Sequence, residues 1–324
     1  MSLKLKTGSV GEIMKTRTIG KTGIEVSAFG MGCWQLGNVE DWGKPMSDKE
    51  GVDLVHAALD KGCNFFDTAP PYARGNSETV LGKALAGRRD QAVICTKFGY
   101  THEYTADFSV EGLHKSLQGT LDRLQTDYVD ILLVHSPGDE FYIDDMPQFK
   151  ALELLKEQGK VRSFGISADT PGHLNHILNN THSEVFEVPY SLFNQDVEEV
   201  LNKAQGQGAG FIAKIPLDSG WLSGKYTQNT EFDGARARWD ADQKALRLRL
   251  IDELKSMMGE TPLLELALQF SVSHPAIAAT IPGTKNLSQL DSSIKALSHD
   301  LSPEWRDRLK TFWLERVKDA GLTW

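Results

Sequence analysis

Along the chain, short apolar runs alternate with longer segments whose apolar positions recur every three or four residues. Eight of the short runs predict strands: "AFGMGCW" (28–34), "NFFDTA" (64–69), "AVICTKFG" (92–99), "YVDILLVHS" (128–136), "SFGISA" (163–168), "VFEVPYS" (185–191), "GFIAKIP" (210–216) and "AATIPGT" (278–284). Several are apolar almost throughout, as strands covered on both faces must be. Amphipathic helices lie between them. Ser47 and Glu50 form a capping box ahead of a stripe of Val52, Val55, Ala58 and Leu59. Ser109 precedes a second stripe of Leu113, Leu117, Leu121 and Leu124. Helical periodicity also covers 147–158, 171–180, 195–206, 243–257 and 288–297, with a tail helix at 303–319. Ahead of the first strand, "TRTIGKTGIEVSAFG" predicts a hairpin turning at Lys21–Gly23.

Eight alternating strand–helix units with no linker between halves predict a closed (β/α)8 TIM barrel, an α/β fold. The hairpin precedes it and the extra helix follows it, so residues 14–324 form a single domain. A doubly wound sheet is the alternative, but its nucleotide-binding forms carry GxGxxG after the first strand, and that motif is absent. Residues 1–13, "MSLKLKTGSVGEI", fit no element and read as a poorly ordered N-terminal extension.

Composition narrows the partners. Of 324 residues, 40% are hydrophobic and 24% charged, as in an ordinary globular protein. A net charge of −9 argues against nucleic acid or an anionic membrane as the main partner. No apolar run has the length of a membrane span, and no signal-peptide core opens the chain, so a cytoplasmic location is the default. Cys33, Cys63 and Cys95 form no CxxC pair and no zinc spacing, and read as buried thiols rather than metal ligands.

The barrel reading directs attention to the C-terminal strand ends, where active sites of such barrels lie. The first four strands end near Trp34, Asp67, Lys97 and His135, with Tyr72 in the loop after the second. In "FFDTAPPYARGNSE" two prolines stop the strand and turn the chain between Asp67 and Tyr72. A phenol with an unperturbed pKa near ~10 needs help to donate a proton at neutral pH. An ammonium beside it is expected to lower that pKa, a carboxylate to hold the ammonium, and a histidine to orient a bound carbonyl oxygen. This set suits the protonation half of carbonyl reduction. The hydride must come from a cofactor, because no side chain supplies one.

From Met14 onward the chain resembles the aldo-keto reductase superfamily. The resemblance rests on "GMGCW" (30–34), "FFDTAPPYARGNSETVLGKAL" (65–85), "CTKFG" (95–99), "DILLVHSP" (130–137), "GKVRSFGIS" (159–167), "VPYSLFN" (188–194), "PLDSGWLSGKY" (216–226) and "IPGTKNLSQL" (281–290). It implies that Tyr72 is the general acid, tuned by Lys97 and Asp67, with His135 orienting the substrate. It implies a cofactor, NADPH with NADH as the alternative, held by Ser167, Glu187, Tyr190, Lys214, Pro216, Leu217, Ser219, Gly220 and Lys225. Arg236 or Arg238 would help to clamp the pyrophosphate. Gly283, Thr284, Lys285 and Gln289 would grip the adenosine end, Lys285 and Thr284 meeting a 2′-phosphate. Trp34 and Tyr100 would face the substrate, a small carbonyl compound, with Phe141 and the C-terminal "GLTW" as further lining.

The match has departures. Ala168 stands where the family often has Asn, Glu187 where it has Gln, and Lys214 where it has a Tyr on the nicotinamide face. Ser292 and Ser293 replace a Glu-Asn pair near the adenine. Glu187 and Lys214 sit on neighbouring strands and are expected to pair. Three functions compete: a carbonyl reductase for an aldehyde, ketone or open-chain sugar; an NADPH-binding regulatory or sensor protein; and a Schiff-base aldolase using Lys97. Oligomeric state is open.

Overall fold

A computed structural model describes residues 14–40, 44–143 and 145–323. The extension 1–13 and Trp324 lie outside the described residues. Strands β1 (Thr16–Thr18) and β2 (Glu25–Ser27) form the antiparallel hairpin. Eight parallel strands follow: β3 (Gly30–Gly32), β4 (Phe65–Asp67), β5 (Val93–Phe98), β6 (Val129–His135), β7 (Val161–Ser167), β8 (Val185–Pro189), β9 (Gly210–Lys214) and β10 (Ile277–Thr280). Each pairs with its neighbour in chain order, and parallel bridges Phe29–Thr280 and Gly32–Gly283 join the last to the first. The sheet is thereby a (β/α)8 barrel.

The helices surround it: α1 (Asp48–Asp60), α2 (Asn76–Ala84), α3 (Val110–Leu124), α4 (Pro147–Glu157), α5 (Pro171–Asn180), α6 (Glu198–Gln205), α7 (Ala241–Met258), α8 (Leu263–Ser271), α9 (Leu287–Ala296) and α10 (Pro303–Phe312). Ser47 caps α1 through the reciprocal bonds of a capping box, and Ser109 caps α3 by accepting from Gly112 N–H at 2.9 Å. Helix α8 has no counterpart in the periodicity reading. Seven of its nine residues are buried, Leu263 and Leu266 through Ser271, so its polar side shrinks to the Glu265–Gln269 pair, a weak mark in the sequence. Among the described residues no helix is long and apolar enough to cross a membrane. The three cysteines are buried and form no disulfide.

The two-residue period of a strand determines what reaches the barrel mouth. Phe65, Val93, Cys95, Ile131, Leu133, Val185 and Ile212 point inward and form one apolar cluster. Ile19, Ile24 and Val26 of the hairpin join that cluster and plug the N-terminal end. Two residues further along the same faces come Asp67, Lys97, His135, Glu187 and Lys214. Polar chemistry therefore caps a dry interior. Alternate residues such as Phe66, Ile94, Leu132 and Phe186 belong to the outer core beneath the helices.

One glycine holds the barrel wall together at this level. A Cβ on Gly165 of β7 would lie 1.7 Å from the Val185 carbonyl oxygen on β8. Gly165→Ala is expected to push these strands apart and cost about 1–3 kcal/mol, as overpacking typically does. A urea midpoint equal to that of the wild type would contradict this packing.

Candidate active site

The opening of the barrel is a cavity of about 950 Å³. One wall of it is built from strand ends in register: Gly32 pairs with Asp67, Asp67 with Cys95, and His135 with Ser167. After Asp67 the chain makes a tight turn with Pro70 at the position where proline presets φ, in which Tyr72 N–H donates to Ala69 O at 3.1 Å. Ala73 and Arg74 follow with φ of 49° and 53°, a left-handed conformation costly for non-glycine residues and kept where the surroundings enforce it. The bend lays Tyr72 against Trp34, their rings nearly parallel with centroids 5.6 Å apart. His135 meets the edge of Tyr72 at 5.9 Å, and Tyr100 packs on His135 at 5.5 Å.

Behind the phenol lies a buried ion cluster. Lys97 Nζ donates to both Asp67 oxygens, at 2.7 and 2.6 Å, and to the Thr68 carbonyl at 3.2 Å. It also lies 3.2 Å from Glu187 Oε2 and 5.3 Å from the Tyr72 ring centre. Burial alone would lower the ammonium pKa, but Asp67 and Glu187 outweigh it and hold Lys97 well above its ordinary value. Burial and the charges of Lys97 and Lys214 hold His135 well below the usual histidine range, so the imidazole is neutral at neutral pH. Its Nδ1 is buried without a hydrogen bond.

The phenol corrects a sequence expectation. Burial raises the Tyr72 pKa well above its ordinary value; Lys97 opposes this, and Asp67 and Glu187 add to it. The ammonium does not produce a net lowering because the cost of burying a phenolate outweighs its attraction, and the neighbouring carboxyl groups oppose it further. Tyr72 is thus held protonated.

Glu187 and Lys214 depart from the expected direct pairing. Lys214 Nζ pairs with Asp169 at 2.6 Å and donates to Ser136 Oγ at 3.0 Å and Ser167 Oγ at 2.8 Å. Ser167 Oγ in turn donates to Glu187 Oε1 at 3.3 Å. A serine bridges the two charges, and Asp169, one residue beyond Ala168, takes the lysine. The sequence reading passed over Asp169 and Ser136; both sit within two residues of a strand end, the one signal available for them.

The cavity brings together Trp34, Asp67, Tyr72, Tyr100, His135, Ser167, Glu187, Lys214, Pro216, Leu217, Ser219, Gly220, Lys225, Arg236, Gly283, Lys285 and Gln289. Ser292 and Ser293 line it as well. Lys97 lies behind this wall, fully buried. Two expected cofactor contacts are placed elsewhere. Tyr190 is a core residue, donating to Glu198 Oε2 at 2.5 Å and stacking on Phe270 at 5.0 Å. Thr284 is buried, its hydroxyl donating to the Pro282 carbonyl at 3.3 Å. Phe141 is buried behind Phe108 rather than at the surface of the cavity.

The long segment after β9 is an ordered unit. Trp221, Tyr226, Phe232 and Trp239 pack on one another at 4.9–5.7 Å, a small aromatic core of its own. Beneath it the buried Arg247 donates to Asp218 Oδ2 at 2.9 Å and to the Thr323 carbonyl at 2.5 Å, which ties the C-terminus to the loop. Arg236 reaches the cavity and donates to the Ser219 carbonyl at 3.0 Å, whereas Arg238 donates to Ser219 Oγ and stacks on Trp239. Lys225, Arg236 and Lys285 are near enough to influence one another. Burial lowers the pKa of both lysines, the charge of Arg236 lowers both further, and Lys285 also acts on Lys225. Three neighbouring cations lining one cavity suit the phosphates of a dinucleotide.

A barrel whose mouth joins a buried carboxylate–ammonium cluster, a phenol and a neutral imidazole is the scaffold of an oxidoreductase class. The Aldo/keto reductase family profile matches residues 28–313, and the chain belongs to that family. It is 31% identical to the L-galactose dehydrogenase of Arabidopsis thaliana over 96% of this chain and 97% of that one. It is also 31% identical to a putative voltage-gated potassium channel subunit beta of Schizosaccharomyces pombe, over 89% of this chain and 90% of that one. The holo form of an aldo-keto reductase from Bacillus halodurans superposes with a TM-score of 0.79 at 27% identity, covering 92% and 96% of the two chains.

Proposed function

We propose that the protein is an NADPH-preferring carbonyl reductase for a small aldehyde, ketone or open-chain sugar. The observation that carries this reading is the joint placement of Tyr72 and His135 on one cavity wall, with Lys97 and Asp67 directly behind the phenol. A nicotinamide cofactor bound in this cavity supplies the hydride that no side chain can give. The chain's own residues do the rest. His135 and Tyr72 receive the carbonyl oxygen between them. Tyr72, held protonated, donates its proton to that oxygen as charge develops on it, and Lys97 stabilises the resulting phenolate. Trp34 and Tyr100 flank the two polar groups with apolar surface that excludes water.

The cation cluster supports the preference for NADPH. Lys285 is tethered to its own loop, where its backbone N–H donates to Gln289 Oε1 at 2.9 Å. Lys285→Ala is expected to weaken NADPH binding by about 10–100-fold, the range for losing one charge-assisted hydrogen bond. NADH binding should change little. Equal losses for both cofactors in a fluorescence titration would argue against contact with a 2′-phosphate.

The kinship with a putative channel subunit favours a second reading, an NADPH-binding sensor with little turnover. The aldolase reading loses support, because a Schiff base needs a neutral amine and Lys97 is locked as an ammonium between two carboxylates.

A further inference from the structure

Around Lys97 the charges do not balance. Asp67 and Glu187 are both fully buried, 2% exposed each, and a single fully buried ammonium lies between them. Oxygens of the two carboxyls, with the Cys95 sulfur, lie within 4.8 Å of one another. Two buried like charges at that distance are costly, and the usual outcome is that one of the pair keeps a proton.

The groups around the pair leave this outcome standing. From β5 the pair is faced by Lys97 and by Cys95, whose thiol burial holds well above its ordinary pKa and therefore neutral. Tyr72, on the loop after β4, is protonated, and His135 on β6 is neutral. Ser167 on β7 offers Glu187 one hydrogen bond at 3.3 Å. Lys214 on β9 is the only other cation nearby among the described residues, and its ammonium is paired with Asp169 at 2.6 Å.

We propose that Glu187 is a positioning residue that binds a proton jointly with Asp67, and that this shared proton keeps the cluster behind Tyr72 electrically neutral. Burial, with the charge of Glu187 added and Lys97 opposing, pushes the Asp67 carboxyl up to about 8. Burial acts to raise Glu187 as well, but Lys97 and Lys214 hold it lower, so the two carboxyls titrate as a unit. The sign of the effect follows. With the proton bound, one carboxylate balances one ammonium, and the phenolate left after proton donation is stabilised. Once the proton leaves to solvent, the cluster carries a net negative charge, which opposes the phenolate. Reduction should therefore decline as pH rises through the region near 8.

For the link to turnover this inference rests on the proposed reductase activity; the shared proton itself does not. The experiment is accordingly a paired one. Infrared spectra of the wild-type protein, without added cofactor, are titrated for the C=O stretch of a buried protonated carboxyl. The pH profile of NADPH-dependent aldehyde reduction is then recorded for the wild type, Glu187→Gln and Glu187→Asp. The band should be present at neutral pH, fade on the alkaline side, and be missing from Glu187→Gln, in which Asp67 and Lys97 already balance. The alkaline decline in turnover should move up in that variant by about one pH unit or more, and Glu187→Asp should restore both the band and the decline. No carboxyl band in the wild type, or a Glu187→Gln profile that still falls near the same pH, overturns the proposal. If Glu187→Gln does not fold, the wild-type band and Glu187→Asp decide. A titrating band in a protein that reduces no carbonyl would uphold the shared proton and overturn the reductase reading instead.

Discussion

Tyr72→Phe is expected to lower kcat for carbonyl reduction by about 10²–10⁴-fold, the contribution of a positioned general acid. Cofactor binding should stay nearly intact, because the substitution leaves in place the cations that suit the phosphates, Lys225, Arg236 and Lys285. Packing should also survive. The ring faces Trp34 and the edge of His135, and phenylalanine keeps both contacts. The split between turnover and binding is the diagnostic feature. A loss of cofactor affinity as large as the loss of turnover would point to a collapsed cavity, and unchanged turnover would remove Tyr72 from the chemistry.

Lys97→Met is expected to damage both activity and stability. It removes the cation that ion-pairs with both Asp67 and Glu187 and leaves two carboxyls, each 2% exposed, at the edge of the cavity. Breaking a buried pair by deleting one partner typically costs about 3–5 kcal/mol. The pH dependence of that loss has a definite sign. Without Lys97 the Asp67 carboxyl, already raised, rises further, and Glu187 loses a charge that holds it low, so protonation compensates at low pH. The deficit should be smallest below about pH 4–5, where the unfolded chain is also protonated, and should grow as pH rises through the folded values. Denaturant midpoints for wild type and variant across that range measure it directly. A deficit that shrank with rising pH would contradict the charge arrangement. Lys97→Arg, in contrast, keeps the charge but puts a larger, planar cation in a fully buried position, so it is expected to recover only part of the loss.

Much of the fold is legible because buried parallel strands announce themselves as apolar runs and surface helices as stripes. The eight strands lie where those runs are; β7 starts two residues earlier than its run, and the others are shorter, since the flanking residues belong to loops at the rim. Helix α8 escaped for a different reason: it is short and mostly covered, so only Glu265 and Gln269 mark its polar side. The hairpin was readable from its glycines, with Gly20 and Gly23 at positive φ. At the site, residues at the ends of consecutive strands could be assigned to one mouth because a closed barrel forces them together. What pairing each charge would adopt was not readable. Glu187 and Lys214 are on adjacent strands, yet Ser167 stands between them and Asp169 captures the lysine. That outcome depends on distances of an ångström or two, which strand order alone does not specify. Tyr190 shows the same limit. It follows β8 closely, but its ring turns outward onto Phe270 instead of into the cavity.

The two prolines of "APP" account for the geometry most particular to this site. They end β4 at Asp67 and form the corner that returns Tyr72 to the cavity, above the cluster made by Asp67 itself. Carboxylate, ammonium and phenol are thereby stacked in depth: Asp67 and Lys97 buried, Tyr72 at the cavity surface.

The central claim is that this mouth reduces carbonyl groups, and it is tested most directly by following nicotinamide absorbance while purified protein and NADPH are offered a panel of aldehydes, ketones and open-chain sugars. NADPH oxidation should depend on at least one carbonyl substrate and disappear in Tyr72→Phe. Tight NADPH binding with no oxidation across the whole panel would contradict it and favour the sensor reading.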